Sequence, residues 1–264
     1  MSLVITLILE ERHRLGGPRQ ECSRAPDCRA RDFSGWAAPD VAPATPIMSA
    51  SKQMTPSWPE LNPSPRLLLG PGPSNVHPRV LRACATPLLG HLDPEFLALM
   101  EETKQLLRLT FETDNPLTIP VSGTGSAGMD TCFVNVLGEG DEAVIGINGV
   151  FGTRMADVVE RAGGRAIGVE APWGQIIDPA DIAKALGTCR RPKLVAVVHA
   201  ETSTGVWQPL EDIVGLAHDA GALFLVDAVT SLGGCPVRVD AWGESTFVTA
   251  RLRSACLVHA DSRG

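Results

Sequence analysis

The 264-residue chain contains no apolar run approaching the ~18 residues a membrane-spanning helix requires. It has no surplus of positive charge: 30 acidic side chains against 23 basic ones leave a formal net charge of −7. Such a chain has no electrostatic footprint for a phosphate backbone, so nucleic acid is not an expected partner. There is no CxxC pair, no HExxH and no Cys/His cluster, and no metal site is expected. The seven cysteines (22, 28, 84, 132, 189, 235 and 256) are odd in number and scattered. They read as buried thiols of a reducing compartment, which points to the cytoplasm. Lysine is scarce, with four residues (52, 104, 184 and 193) against 19 arginines. What remains is 44% hydrophobic and 20% charged, the composition of a globular protein with a sizeable core.

The two ends differ from the middle. Residues 1–65 hold nine of the 21 prolines. The opening MSLVITLILE is a short apolar run, but EERHR follows it where a secretory signal would have a cleavage site. Six acidic residues before position 47 argue against a transit peptide. Residues 1–64 are therefore expected to be a disordered or spurious extension, with Met48 as an alternative start. Residues 244–264, ESTFVTARLRSACLVHADSRG, lack the strand–turn–helix punctuation that runs up to Gly243 and are expected to be foreign to the fold. The informative stretch is 65–243, enough for one α/β layer structure.

Within it, strand and helix signals alternate. Strands are expected at 117–121, 143–147, 165–169, 193–199 and 222–226; helices are expected near 129–137, 154–162 and 209–220. Asp178 is placed as an N-cap with Pro179 at the first helical position. KLVAVVH (193–199) is continuously apolar, as in a strand buried on both faces. This alternation implies an α/β fold with a mostly parallel sheet and helices on both faces. Ligands on such sheets bind at the carboxyl ends of the strands, so the polar residues there are the candidates.

Four strand ends stand out. Gly123-Thr-Gly-Ser-Ala-Gly128 fits GxGxxG between a strand and a helix, an anion cradle of backbone N–H groups with Thr124 and Ser126 hydroxyls as further donors. A dinucleotide-binding turn would need an acid at the carboxyl end of the next strand; Asp141 and Glu142 precede that strand, and Asn148 stands at its end. The phosphate of another cofactor fits better, although a glycine-rich turn that binds nothing is the plainer alternative. Phe151, between Gly149 and Gly152, can stack on a flat heterocycle or can be core. The run His199-Ala-Glu-Thr-Ser-Thr-Gly205 can donate to a ring oxygen or form a simple Ser/Thr turn. Asp227 ends LFLVD and requires a partner if buried; with no metal ligand set in sight, a pyridinium nitrogen suits it, and a structural turn cap is the competing role.

LLLGPGPSNVHPRVL (67–81), NPLTIPVSGTGSAG (115–128), NGVFG (148–152), HAETSTGVWQPL (199–210) and LFLVDAVTSLGG (223–234) together resemble the class V pyridoxal-phosphate aminotransferases, on the alanine–glyoxylate / serine–pyruvate branch. The resemblance implies the large domain of pyridoxal-phosphate fold type I and a homodimer with sites at the subunit interface. The implied reaction moves an amino group from alanine or serine to glyoxylate or another 2-oxo acid. By resemblance, Thr124, Gly125 and Ser126 hold the cofactor phosphate and Phe151 stacks on the ring. Thr202 contacts the ring oxygen, Asp227 pairs the pyridine nitrogen and Val229 covers the ring's other face. Gly72 is implied near the substrate carboxylate. Cysteine desulfurases and phosphoserine aminotransferases share the fold.

The family's Schiff-base lysine, in a Ser-x-Gln-Lys turn beyond the aspartate, has no counterpart: the matching count reaches Arg253, and no lysine follows Asp227. Arginine cannot substitute because it keeps its proton. The C-terminal small domain also has no counterpart in the sequence. The tail is expected to be a frameshift product. Arg251–Leu257 can be encoded as CGC CTC AGA AGT GCC TGT CTG, which read two bases later gives Pro-Gln-Lys-Cys-Leu. The chain as written is expected to be inactive, with a non-catalytic cofactor-binding fragment or, further off, a dinucleotide-dependent oxidoreductase as alternatives.

Overall fold

A computed structural model describes residues 3–7, 60–243 and 246–252 of the chain. In chain order the elements are β1 (Leu3–Leu7), α1 (Pro78–Cys84), α2 (Pro94–Phe111), β2 (Thr118–Ser122), α3 (Gly125–Val136), β3 (Glu142–Ile147), α4 (Val150–Arg161) and β4 (Arg165–Glu170). There follow α5 (Pro179–Thr188), β5 (Pro192–Val198), β6 (Ala200–Glu201), β7 (Val206–Trp207), α6 (Glu211–Asp219), β8 (Leu223–Asp227) and β9 (Thr246–Leu252). Seven strands form one sheet in the order β2-β1-β9-β8-β5-β3-β4, and β6 pairs with β7 in a small ribbon. The run β9-β8-β5-β3-β4 is parallel throughout. β1 is antiparallel to both of its neighbours.

Alternation along the central strands explains the layers, because successive side chains point to opposite faces. Val144, Val195, Val197, Phe224 and Val226 pack into one core with α5, α6 and the end of α2. Ala143, Ile145, Leu194, Ala196, Val198 and Leu225 pack into a second core with α3 and α4. Both sets are buried, which is why 193–199 reads as an unbroken apolar run rather than an alternating one. Helix starts follow side-chain capping. Asp178 accepts from the Ala180 N–H at 2.8 Å with Pro179 in the first turn, as expected, and Asp93 and Pro94 repeat the arrangement on α2.

Several expected boundaries are corrected. Leu3–Leu7, placed by sequence in an extension outside the fold, form a strand inside the sheet. Thr246–Leu252, placed in a foreign tail, form β9 alongside β8, with Val248 and Thr249 fully buried and the Ala228 N–H donating to the Thr249 carbonyl at 2.8 Å. TFVT is rich in β-branched residues, and the exposed edge of β8 gives it a partner that the local sequence does not reveal. α3 begins at Gly125 rather than 129, because the Thr124 hydroxyl accepts from the Ala127 N–H at 3.2 Å and starts the helix inside the glycine-rich turn. α4 begins at Val150 rather than 154, so Phe151 lies in a helical first turn. Residues 8–59, with Met48, and 253–264, with Arg253, lie outside the described residues.

Candidate active site

The carboxyl ends of β5 and β8 and the first turns of α3 and α4 converge on a cleft of about 140 Å³. One water molecule occupies ~30 Å³ in the liquid, so the space suits a ring-sized ligand. Thr124, Gly125, Ser126, Phe151, Thr202, Asp227 and Val229 all line it, with Met129, Val198, Ala200 and Thr230. These positions span more than a hundred residues of chain, and parallel crossovers alone bring them together. Gly72 is not among them. It lies in an exposed bend.

The N–H groups of Gly125 and Ser126 open α3, where no helical carbonyl can accept from them, and the helix dipole adds positive potential at the same point. That end of the cleft accepts an anion such as a phosphate. The Thr124 hydroxyl is already engaged as the helix cap. Thr202 and Thr230 share a hydroxyl–hydroxyl hydrogen bond, which ties the β6 turn to the turn after β8.

At the other side Asp227 is only 3% exposed. Its Oδ1 accepts from the Val229 N–H at 2.9 Å. Burial pushes its pKa up to about 6; the Val229 bond pulls it back, and the Glu201 charge raises it further. No cationic side chain among the described residues contributes to that balance. A carboxylate desolvated without a cation at the end of a strand facing the cleft suits a protonated ring nitrogen as its partner. The donor set, the apolar wall of Phe151, Val198 and Val229, and this acid fit pyridoxal phosphate.

Glu201 is the residue whose weight only the structure reveals. It is 1% exposed and works at the start of α4. Its Oε2 accepts from the N–H groups of Phe151 at 3.1 Å and Gly152 at 3.3 Å; its Oε1 accepts from the Ser203 N–H at 3.1 Å and the Ser203 hydroxyl at 2.7 Å. Ser203 Oγ in turn accepts from the Val150 N–H at 3.0 Å. A carboxylate at a helix N-terminus, with its lone pairs filled, is stable when buried. This network sets the direction in which Phe151 enters the cleft. The only signal in the sequence is an acid in a Ser/Thr-rich strand end.

Two glycines permit this arrangement. A Cβ on Gly149 would lie 2.3 Å from Glu201 Cγ, and one on Gly152 would lie 2.6 Å from the Gly146 carbonyl oxygen and 2.9 Å from Ile147 Cα. Gly152→Ala is expected to push α4 off β3 at a cost of about 1–3 kcal/mol. Urea unfolding would show the lower midpoint, and ligand titration the displaced Phe151.

His199 stands between two cleft residues but is not part of the lining. Its Nε2 accepts from Trp207 Nε1 at 3.0 Å, and its ring meets Trp242 edge-on at 5.6 Å between centroids. Burial lowers its pKa to about 4, so the imidazole is neutral at pH 7. Of the lysines in the described part, Lys104, Lys184 and Lys193, none lines the cleft.

Among the described residues no helix is long and apolar enough to cross a membrane, and no group of His, Cys, Asp and Glu could hold a metal ion. Comparison with known proteins gives one consistent answer. Residues 67–248 match the family described as aminotransferase class-V. The (S)-ureidoglycine–glyoxylate transaminase of Bacillus subtilis is 42% identical over 177 residues, 67% of this chain and 42% of that protein. The alanine–glyoxylate aminotransferase of Mus musculus is 43% identical over 178 residues, 67% of this chain and 43% of that protein. The crystal structure of an alanine–glyoxylate aminotransferase from Nostoc sp. superposes with a TM-score of 0.69 at 48% identity, covering 74% of this chain and 52% of that one. The chain thus spans about half the length of the relatives it matches. With the mostly parallel sheet, the cleft and these matches in agreement, the chain belongs to the class V aminotransferases, pyridoxal-phosphate enzymes of fold type I.

Proposed function

We propose that residues 65–243 carry most of the cofactor site of an aminotransferase that moves an amino group from alanine or serine to glyoxylate or another 2-oxo acid. The observation that carries this reading is the pairing, in one cleft, of an anion-accepting helix start with a buried, cation-free acid. When bound, pyridoxal phosphate supplies an electron sink for bonds at the amino acid's α-carbon. The Gly125 and Ser126 N–H groups hold the phosphate, with the Ser126 hydroxyl as a further donor. Asp227 would pair with the ring nitrogen, Phe151 and Val229 would supply apolar contact to the ring, and Thr202 would meet the ring oxygen. Glyoxylate is the acceptor common to the two named relatives, whereas their amino donors differ; the acceptor is the better supported half of the pair.

No lysine follows Asp227 in these 264 residues, so no side chain past that point can form a Schiff base with the cofactor. The chain of this sequence is proposed to bind the cofactor without covalent attachment and without turnover. A homodimer is the proposed assembly of the intact enzyme, supported by the exposed leucines 67, 69, 81, 88, 92 and 109. The cytoplasm is the proposed compartment, in keeping with free thiols at Cys84, Cys132, Cys189 and Cys235.

Titration of the purified chain with pyridoxal phosphate tests the reading. Saturable quenching of tryptophan fluorescence is expected, with no pyruvate formed from alanine and glyoxylate. Absence of saturable binding would reduce the chain to a fragment with no cofactor role, and pyruvate formation would overturn the proposed inactivity.

A further inference from the structure

The polar side chains that line the cleft are Thr124, Ser126, Thr202, Asp227 and Thr230. The proposed function uses the first four. The fifth, Thr230, is bound to Thr202 hydroxyl to hydroxyl, across 28 residues of chain. Both turns that carry these threonines are held by other bonds. On the Thr202 side, the N–H groups of Thr204 and Gly205 donate to the Glu201 carbonyl at 3.3 and 2.8 Å, and Ser203 is bound to the Glu201 carboxylate. On the Thr230 side, the Val229 N–H donates to Asp227, the Ala228 N–H to the Thr249 carbonyl and the Leu232 N–H to the Ala228 carbonyl. With the backbone fixed on both sides, what remains to be set is where each hydroxyl proton points. A threonine hydroxyl has one O–H to give and two lone pairs to receive. A bond between two hydroxyls uses one O–H and leaves the other. If Thr202 donates, the remaining O–H belongs to Thr230; if Thr230 donates, Thr202 keeps its O–H for a third oxygen. An ionised ring oxygen can only accept, so beside Thr202 it selects the second arrangement. Accepting from Thr230 also makes Thr202 the stronger donor, because linked hydrogen bonds polarise one another. Val198, Ala200 and Val229 line the same cleft and offer no side-chain acceptor that would compete for the proton.

We propose that Thr230 is a positioning residue for the oxygen of the cofactor ring: it donates its hydroxyl proton to Thr202 and so directs the Thr202 O–H at that oxygen. Thr230 acts through Thr202 and not on the ring oxygen itself. The proposal rests on the pyridoxal phosphate reading and adds to it the residue that sets the direction of the donor.

Titration of the full chain with pyridoxal phosphate, and with the analogue that carries hydrogen in place of the ring hydroxyl, tests the proposal. The readout is the ratio of the two affinities, which separates the ring oxygen from packing and from phosphate binding. Thr202→Val is expected to lower that ratio about tenfold and Thr230→Val about fivefold, the sizes of a lost charge-assisted bond and a lost neutral one. Thr230→Ser keeps the hydroxyl and should restore most of the parent ratio. With both valines present the ratio should equal that of Thr202→Val alone, because Thr230 has nothing to act through once Thr202 has lost its hydroxyl. An unchanged ratio in Thr230→Val would overturn the proposal, even if both ligands bind more weakly, since parallel weakening is the mark of packing. A further drop in the double variant, or a larger drop in Thr230→Val than in Thr202→Val, would put Thr230 itself on the ring oxygen and overturn it too. Should Thr230→Val fail to fold, Thr230→Ala is read in the same way. Absence of saturable binding of either ligand to the parent chain would refute the cofactor reading and this proposal with it. Saturable binding with a ratio that Thr230 does not affect would refute the Thr230 role alone.

Discussion

Asp227→Asn is expected to weaken pyridoxal phosphate binding by about 100-fold at pH 7.5 while making the cofactor-free chain more stable at that pH. The binding loss follows from the charge: a buried carboxylate facing a protonated ring nitrogen is a desolvated ion pair, and removing one partner of such a pair costs several kcal/mol. The stability gain follows from linkage. Folded Asp227 keeps its proton up to about pH 6, because burial disfavours the anion, whereas the unfolded chain releases it near 3.8. Between those values the folded chain binds more protons than the unfolded one, so this group's contribution falls as pH rises through the window. His199 works in the opposite direction. Its folded pKa of about 4 lies below the ordinary 6.5, so the unfolded chain binds more protons there and stability rises with pH. The two contributions oppose one another in the unsubstituted chain. In Asp227→Asn only the histidine contribution remains, and melting temperature should climb from pH 4 to 6.5. A variant as flat as the parent, or a variant that binds the cofactor as tightly, would exclude this role for Asp227.

Glu201→Ala is expected to cost about 3–5 kcal/mol of stability and to reduce cofactor affinity about tenfold, although Glu201 is absent from the cleft lining. The truncation leaves the N–H groups of Phe151, Gly152 and Ser203 without their acceptor in a buried place. Glu201→Gln keeps the shape and some of the acceptors, so it should recover much of the stability. It also removes a negative charge that raises the pKa of Asp227. The pH at which Asp227 titrates should therefore fall in Glu201→Gln, a readout that loss of packing alone would not produce. Chemical-shift titration of the Asp227 side chain measures it directly. An unmoved midpoint would confine Glu201 to a purely structural part.

Much of this protein is written locally. The apolar run 194–198 announces a strand buried on both faces, because each of its residues meets one of two helical layers. Asp178-Pro179 announces a helix start, because cap and first-turn geometry depend on adjacent residues only. The ligand-facing character of Thr124, Phe151, Thr202 and Asp227 was legible for the same reason: in a parallel α/β sheet every strand's carboxyl end faces the same side. Other features have no local signature. Glu201 caps a helix that starts fifty residues earlier in the chain, so the first turn of α4 could not be read from its own sequence, which lacks a side-chain cap. β1 and β9 looked like ends outside the fold because their strand partners are distant in sequence: β1 pairs with residues beyond 117 and β9 with β8 and β1. The sequence by itself determined the layer architecture and the side of the sheet on which the cleft opens, since both follow from period and punctuation. Only the tertiary structure decided which segments close the sheet and which acid holds the aromatic in place, because those depend on pairings between residues that have no neighbourhood in the chain.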